Sequence, residues 1–289
     1  MASSLLSLML ALVLLWQSGT SVALTKSVTV FGSTSGVGQL VARQCLEQQI
    51  RVNGVTRDPE SASRRFGDIL GGCKLFKADA REPATLRQAG LFATDAVVIS
   101  VGTTAFPSAK WEGDKNSPKI ACLDIVENIL DAMEASKSRP KKVILISSIG
   151  VERATSFPFK ILNAYGVLTY KLQSEKLLLE RALKGGYAAC VVRPGRLVGA
   201  PFTNSDLAKL LQLDQGSNKG ILVSSEDNLA GDMERTDVAT AVVRCLDLNL
   251  GTNAVFSIVN KPGRAPSPSE WDTLLSESQF SNYRDAVLL

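Results

Sequence analysis

A glycine-rich turn near the start of this 289-residue chain limits the folds that it can adopt. The turn has glycine at positions 32, 36 and 38. An apolar run at 27–31 predicts a buried strand before the turn, and apolar residues at helical spacing over 37–48 predict a helix after it. Glycines at this spacing permit a tight turn, the close approach of a pyrophosphate and close packing of helix on sheet. The sequence therefore predicts a phosphate-binding turn in a first βαβ unit.

The residues between the glycines add to this prediction. The free N–H groups and the dipole of a helix N-terminus favour anions, and three hydroxyl side chains in the turn can supply further donors. The predicted cofactor-binding residues of the turn are Gly32, Ser33, Thr34, Ser35, Gly36, Val37 and Gly38. The alternative is a turn that binds nothing. A P-loop is excluded in this segment because no Gly-Lys-Ser/Thr sequence follows.

The rest of the chain alternates β-branched runs with helical stretches, which indicates βαβ units. Strands are predicted at 50–55, 75–77, 96–101, 143–147 and 188–192, and helices at 60–70, 84–91, 120–135 and 170–183. Strands that are apolar without alternation are covered on both faces, as in a parallel sheet. We therefore expect an α/β fold with a doubly wound parallel sheet, the Rossmann fold.

The C-terminal third has a different sequence pattern: its predicted helices and strands are shorter and are separated by Gly, Asn, Ser and Asp. Elements are predicted at 207–213, 221–224, 238–246 and 255–259, with a final helix near Trp271. We interpret residues 194–289 as including a small C-terminal substrate-side lobe and a last strand of the sheet.

The first 23 residues have the layout of a secretory signal peptide. An apolar run at 5–16 is followed by small residues at Ser21 and Ala23, the positions that a signal peptidase inspects, and no charged side chain precedes Lys26. The run is shorter than the ~20 residues that span a bilayer, so we expect a single domain over 24–289 and no stable membrane span after cleavage. An uncleaved anchor or a buried helix is the alternative. A cleaved signal peptide predicts that the protein is in the ER lumen or is secreted. In an alga with secondary plastids, such a peptide would instead be the first half of a plastid-targeting sequence.

Residue counts exclude several functions. The chain has no histidine, which excludes Ser-His-Asp and Cys-His nucleophile pairs and His-ligated zinc sites, and no metal site is predicted. Proton transfer must then use Tyr, Lys, Asp, Glu, Cys or water.

The 32 basic residues nearly balance the 28 acidic ones without a long run of one sign, so nucleic acid is not an expected partner. The five cysteines are widely spread and include no CxxC, which does not fit a disulfide framework.

The end of the second predicted strand bears on the choice of cofactor. NAD-binding folds usually place an acidic residue there, on the ribose 2′-OH. This chain instead has Arg57, with Arg64 and Arg65 on the next predicted helix. A guanidinium suits a 2′-phosphate, so we predict NADP, with NAD as the alternative cofactor. In that alternative Asp58 takes the ribose and Arg57 lies on a solvated loop.

Several ordered motifs between residues 27 and 260 resemble the short-chain dehydrogenase/reductase superfamily, most closely its atypical, NmrA-like NAD(P)-binding members. The resemblance implies further cofactor-binding residues, namely Asp79, Ala80, Val101, Gly102, Ser147, Lys171, Arg193, Pro194 and Gly195. Asp79 would contact the adenine, and the turn at 193–195 would lie beneath the nicotinamide. The sequence from Arg235 to Ala239 resembles the R-x-D-V-A helix start of these proteins.

One departure from the superfamily concerns the chemistry. Classical members use a Tyr-xxx-Lys pair, in which the tyrosine is the acid and the lysine holds the nicotinamide ribose. If Lys171 is that lysine, Val167 occupies the tyrosine position, and valine cannot transfer a proton. We take Ser148, Tyr170 and Lys171 as the candidate catalytic residues. The alternative for Lys171 is a structural i,i+4 pair with Glu175.

Two functions remain open at this point. The first is an NADP-dependent oxidoreductase or isomerase that acts on a small apolar carbonyl or enone-like substrate. The second is a catalytically weak NADPH-binding regulatory or assembly factor with a protein partner, which the missing Tyr-xxx-Lys pair favours. Turnover discriminates between the two, because fold analogy alone does not give the chemistry.

Overall fold

The computed structural model describes residues 25–199, 219–248, 250 and 253–277, apart from the side chains at positions 68 and 69. The predicted signal peptide and the predicted helix at 207–213 lie outside the described residues. Within the described ranges, no helix combines the length and apolar character needed to cross a membrane.

The centre of the fold is an eight-stranded sheet. The strands of the chain are β1 (Ser27–Phe31), β2 (Arg51–Thr56), β3 (Lys74–Lys77), β4 (Ala96–Ile99), β5 (Lys142–Ile146), β6 (Ala188–Pro194), β7 (Arg196–Val198), β8 (Gly220–Ser224), β9 (Asp232–Glu234) and β10 (Asn253–Lys261). The sheet has the order β3-β2-β1-β4-β5-β6-β10-β8, and all neighbours are parallel except β10 and β8. The strand order reverses at β1, which makes the sheet doubly wound and confirms the predicted fold class.

Seven α-helices are described alongside the sheet. They are α1 (Gly36–Glu47), α2 (Pro59–Leu70), α3 (Ile125–Glu134), α4 (Phe159–Leu162), α5 (Val167–Gly185), α6 (Arg235–Asp247) and α7 (Pro268–Glu277). The start of α5 is set by Asn163, whose side-chain oxygen accepts hydrogen bonds from the N–H groups of Leu168 and Thr169. This capping begins the helix three residues before the predicted start at 170.

Two predicted helices differ from the structure. The segment 84–91 is a short 3₁₀ turn over Pro83–Leu86, because Gly90 has a left-handed φ of 83° and the Gln88 side chain hydrogen-bonds the Thr85 carbonyl. The segment 120–135 begins with a π turn over Ile120–Asp124 before α3 continues it. Such π turns occur often near functional sites.

Both faces of the sheet are buried, which explains why its strands are apolar without alternation. On β1, Val28 and Val30 belong to the core cluster beneath α1 and α6, whereas Phe31 belongs to the cluster beneath α3 and α5. The two helical layers leave the carboxyl ends of the strands open at one edge of the sheet.

The C-terminal elements are tied to the main sheet more closely than the sequence suggested. Strands β8 and β10 pair with each other, and β10 pairs with β6, so the predicted elements at 221–224 and 255–259 both extend the sheet, where one last strand was expected. Among the described residues, the part that stands apart from it is the small parallel pair of β7 and β9. This pair follows directly after the turn at Gly195.

Candidate functional site

The glycine turn brings the start of α1 against the ends of β1 and β4. Gly32 has a φ of 78°, and a Cβ atom there would lie 2.3 Å from the Ser100 carbonyl oxygen. A Cβ atom on Gly38 would lie 2.0 Å from the Gly32 carbonyl oxygen. Glycine is therefore required at both positions by the close approach of backbone segments, as the sequence predicted for such a turn.

The serines of the turn hold its shape. The Ser35 hydroxyl caps α1 by accepting a hydrogen bond from the Gly38 N–H at 3.0 Å, and the buried Ser33 hydroxyl donates to the Val55 carbonyl at 3.0 Å. This differs from the expectation that both would be donors to a ligand. Thr34 lines the cleft, and the first-turn N–H groups of Gly36 and Val37 have no intrahelical partner at a helix N-terminus.

Two cavities meet at the glycine turn. The first, of about 220 Å³, lies at the ends of β1, β2 and β3, and the second, of about 560 Å³, lies at the ends of β4, β5 and β6. They form one cleft because they share the lining residues Ser35, Ser100, Val101 and Gly102. An elongated anionic ligand placed across this cleft would have its middle at the N-terminus of α1, where N–H donors favour phosphate.

The predicted site residues divide between the two cavities, with four exceptions. The first cavity is lined by Gly32, Thr34, Arg57, Asp79 and Ala80 among others, and the second by Gly36, Val37, Ser147, Ser148, Lys171, Pro194 and Gly195. The predicted residues that line neither cavity are Ser33, Gly38, Tyr170 and Arg193.

The first cavity ends in a cluster of two arginines and two carboxylates. Arg57 Nη1 lies 2.8 Å from Glu112 Oε1, and Arg81 Nη1 lies 2.8 Å from Glu112 Oε2. Arg81 also forms a bidentate ion pair with Asp79, with its Nε 2.9 Å from Oδ1 and its Nη2 2.5 Å from Oδ2. The four side chains carry two positive and two negative charges.

The carboxylates of this cluster are held in their charged form. Hydrogen bonds from Arg81 and then from Arg57 lower the pKa of Glu112. Burial acts to raise the pKa of Asp79, but the hydrogen bonds and charge of Arg81 outweigh it, so the pKa lies below its usual range. The Asp79 carboxylate, predicted to contact adenine, is thus already bound by Arg81.

Lys171 is the candidate catalytic residue that enters the second cavity most clearly. Its Nζ donates to the Ser147 carbonyl at 3.4 Å and lies 3.9 Å from where a Cβ of Gly102 would be. The ammonium is therefore placed between the ends of β4 and β5. Ser148 lines the same cavity, and its hydroxyl donates to the Ile149 carbonyl at 3.0 Å.

The tyrosines lie elsewhere. The Tyr170 ring packs over Gly166, where a Cβ atom would come within 2.8 Å of it, and Tyr170 lines neither cavity. This corrects the expectation that Tyr170 faces the reaction centre, because its position on α5 turns it toward the cluster around Phe159. Tyr165 packs edge-on against Phe106 and Trp111. Neither cavity has a tyrosine among its described lining residues.

Arg193 has a structural role that the sequence interpretation did not give it. Its side chain is 1% exposed, and its Nη2 lies 2.6 Å from Glu175 and 2.8 Å from Glu152. Because the guanidinium is engaged by two carboxylates, a contact of Arg193 with a cofactor would have to come from its backbone in the turn at 193–195. The same contacts take Glu175 away from Lys171, so the proposed i,i+4 pair is not formed.

Sequence reasoning missed several residues at the cleft, and three charged ones, Arg81, Lys110 and Glu112, show why. Arg81 stands two residues after Asp79, and an arginine so close to a strand end is a signal that could have been used. Lys110 and Glu112 come from the long connection after β4, which has no periodicity and therefore no signal.

The fold and the site together define a dinucleotide-binding protein of the Rossmann type. A sequence model described as NAD(P)H-binding matches residues 32–249, and the chain belongs to this NAD(P)H-binding family. The predicted resemblance to the short-chain dehydrogenase/reductase superfamily is confirmed by the family and by the structural comparisons. No curated protein sequence matches the chain.

Solved structures with a similar fold include reductases and epimerase-like proteins. A putative NAD-dependent epimerase/dehydratase from Bacillus halodurans has a TM-score of 0.64 at 17% identity, over 87% of this chain and 99% of that one. ChuY, an anaerobillin reductase from Escherichia coli, has a TM-score of 0.59 at 18% identity, over 82% and 100%. ElxO with NADP bound has a TM-score of 0.55 at 17% identity, over 81% and 97%. At these identities the likeness is one of fold.

Proposed function

We propose that the protein is an NADP-dependent oxidoreductase or isomerase of the atypical, NmrA-like type, acting on a small carbonyl or enone-like substrate. The observation that carries the proposal is the continuous cleft that runs from Arg57 past the glycine turn to Lys171. It offers an arginine at one end, orphan N–H donors in the middle and an ammonium at the other end.

The residues of the cleft fit a nicotinamide dinucleotide. Gly32 and Gly38 stand where side chains would collide with backbone, and the N-terminus of α1 suits the pyrophosphate. Arg57 suits a 2′-phosphate, and Lys171 would bind the hydroxyls of the nicotinamide ribose. The nicotinamide supplies hydride transfer when bound. The protein then has to orient a substrate and deliver a proton.

The second cavity bears on the substrate. Its lining combines apolar side chains, among them Ala105, Ile146 and Leu197, with four basic ones, Lys110, Lys171, Arg196 and Arg235, of which Arg196 is paired with Asp232. Arg235 donates to the Gly199 carbonyl at 2.6 Å. Burial lowers the pKa of its guanidinium, and the charge of Glu234 acts in the opposite direction. A carbonyl compound with an apolar body and an acidic group fits this lining.

A second candidate function is a catalytically weak NADPH-binding regulatory or assembly factor. The observation that favours it is Val167, which is 5% exposed and stands where the superfamily has its tyrosine acid. The hydroxyls near the substrate end come instead from Thr103, Thr104, Ser147 and Ser148. Proton transfer would have to pass through one of them or through water.

Fluorescence titration of the purified protein with NADPH tests both functions, and failure to bind would refute both. Arg57→Glu should weaken NADPH binding more than NADH binding, because it replaces a cation with an anion beside the 2′-phosphate. Arg64→Glu is the matched control, since Arg64 is also an exposed arginine but lines neither cavity. An equal loss for the two cofactors would exclude the 2′-phosphate role of Arg57.

Turnover separates the two functions. NADPH oxidation would be followed with a panel of carbonyls, enones and quinones, each with and without a carboxylate. Turnover supports the enzyme, and binding without turnover of any member supports the regulatory factor.

We also propose that the N-terminal 23 residues direct the chain into the secretory pathway, with a secondary plastid as the alternative destination. Microscopy of the full-length protein with a C-terminal tag tests this, and a cytosolic signal would contradict it.

A further inference from the structure

The connection after β4 borders both cavities, because Asn116 lines the first, and Thr103, Thr104, Ala105 and Lys110 line the second. We call residues 103–117 the strap. Trp111 anchors it, being 8% exposed, with its indole Nε1 donating to the Thr104 carbonyl at 3.1 Å and its ring edge-on to Tyr165. The Asn116 N–H closes the strap by donating to the Trp111 carbonyl at 2.8 Å. The strap is therefore a fixed structure beside the cleft.

The strap turns sharply just after Trp111. Glu112, Gly113 and Asp114 all have left-handed backbone conformations, with φ of 52°, 60° and 72°. L-residues other than glycine rarely adopt this region, so the turn needs compensating contacts. The Glu112 side chain makes such contacts with the arginines of the cleft.

Glu112 bridges the two arginines. Arg57 Nη1 contacts both of its carboxylate oxygens, at 2.8 and 2.9 Å, and Arg81 Nη1 contacts Oε2 at 2.8 Å. The Glu112 side chain is 35% exposed and that of Arg81 is 19% exposed. The carboxylate thus uses guanidinium N–H groups that an entering phosphate would also use. With Asp79 on Arg81, the cluster has no net positive charge.

We propose that Glu112 is a specificity-determining residue that sets the preference between NADP and NAD. A 2′-phosphate must displace the Glu112 carboxylate from Arg57 and Arg81, whereas an unphosphorylated ribose leaves that carboxylate in place as a hydrogen-bond acceptor. Glu112 therefore disfavours NADP relative to what the two arginines alone would give. This inference rests on the proposed function, because it needs the adenosine end of the cofactor at the first cavity.

Glu112→Gln tests the inference, since it removes the charge and keeps the shape. The dissociation constants of NADPH and NADH would be measured by fluorescence titration of wild type and variant. We expect NADPH to bind about tenfold more tightly to the variant and NADH to change by less than about twofold, so the preference shifts by nearly the same tenfold, or about 1.4 kcal/mol.

Asp114→Asn is the matched control. Asp114 is exposed on the same turn, two residues away, and the substitution makes the same change in net charge. It should leave both dissociation constants unchanged. Glu112→Asn serves as a second variant, because asparagine tolerates the left-handed backbone better than glutamine and has no charge. Circular dichroism checks the fold of each.

Each result has a distinct meaning. If NADPH binds wild type but no more tightly to either Glu112 variant, the inference is wrong and the proposed function stands. If both cofactors tighten equally, or if Asp114→Asn has the same effect, the general charge of the strap is responsible and Glu112 is not specific. If wild type binds neither cofactor, the proposed function fails and the inference fails with it.

Discussion

Gly32→Ala probes the close packing on which the whole cleft depends. A Cβ atom at this position would lie 2.3 Å from the Ser100 carbonyl oxygen, whereas ordinary contacts begin near 3.4 Å. The end of β4 would have to move by about 1 Å to relieve the collision, which is the kind of overpacking that costs about 1–3 kcal/mol. The left-handed φ of 78° adds about 1–2 kcal/mol for any residue with a side chain.

The expected total loss in the free energy of unfolding is therefore about 2–5 kcal/mol, a large fraction of the ~5–15 kcal/mol of an ordinary domain. Urea denaturation followed by circular dichroism measures it. NADPH binding should weaken in the same variant, because Ser100 and its neighbours Val101 and Gly102 line the shared part of the two cavities.

Gly90→Ala separates the two contributions. Gly90 has nearly the same φ, 83°, but a Cβ atom there would meet nothing within 4 Å. This control should lose only the backbone contribution of about 1–2 kcal/mol and should bind NADPH as wild type does. Equal destabilisation by the two substitutions would refute the argument that close approach of β4 requires a glycine at position 32.

Two further substitutions test the ion pairs around the site. Glu175→Gln should lower the free energy of unfolding by about 3 kcal/mol, the lower end for breaking a buried pair because Arg193 keeps its contact with Glu152, while the exposed Glu180→Gln should have little effect in the same urea denaturation. Asp79→Asn should make the melting temperature fall less steeply as the pH is lowered. The pKa of Asp79 is lowered in the folded state, so its stabilisation is present above the unfolded pKa of about 3.9 and is lost as the pH falls through the folded value. Thermal melts from pH 6 to pH 2 measure this, and parallel curves for wild type and variant would contradict it.

The sheet was predictable because its signals are local. Buried parallel strands give short apolar runs, and the glycine spacing identifies the first βα turn, so both the strand positions and the phosphate-binding turn follow from short stretches of sequence. Two features could not be predicted from periodicity. The edge strand β8 is placed by antiparallel pairing with β10, which depends on contacts between distant residues. The segment 84–91 is not a helix because Gly90 has a left-handed conformation, which a hydrophobic pattern does not reveal.

The details of the site were not predictable in the same way. Arg193 and Glu175 are eighteen residues apart on a strand and a helix, and only burial decides that they pair with each other. Glu112 comes from the strap, whose course beside the cleft is fixed by Trp111 and by left-handed backbone conformations rather than by any periodic pattern. Sequence reasoning found Arg57 but not the carboxylate that holds it.

The buried pair also bears on the proposed role of Lys171. Because Glu175 is bound to Arg193, Lys171 is left to face Ser147 and the second cavity, where it can position a cofactor. Val167, one turn earlier on α5, is packed in the core and contributes no proton. On the proposed function, cofactor positioning and proton delivery therefore fall to different residues. The enzyme and the regulatory protein proposed above share the first property and differ only in the second, so the proton path at Ser148, Thr103 and Thr104 decides between them.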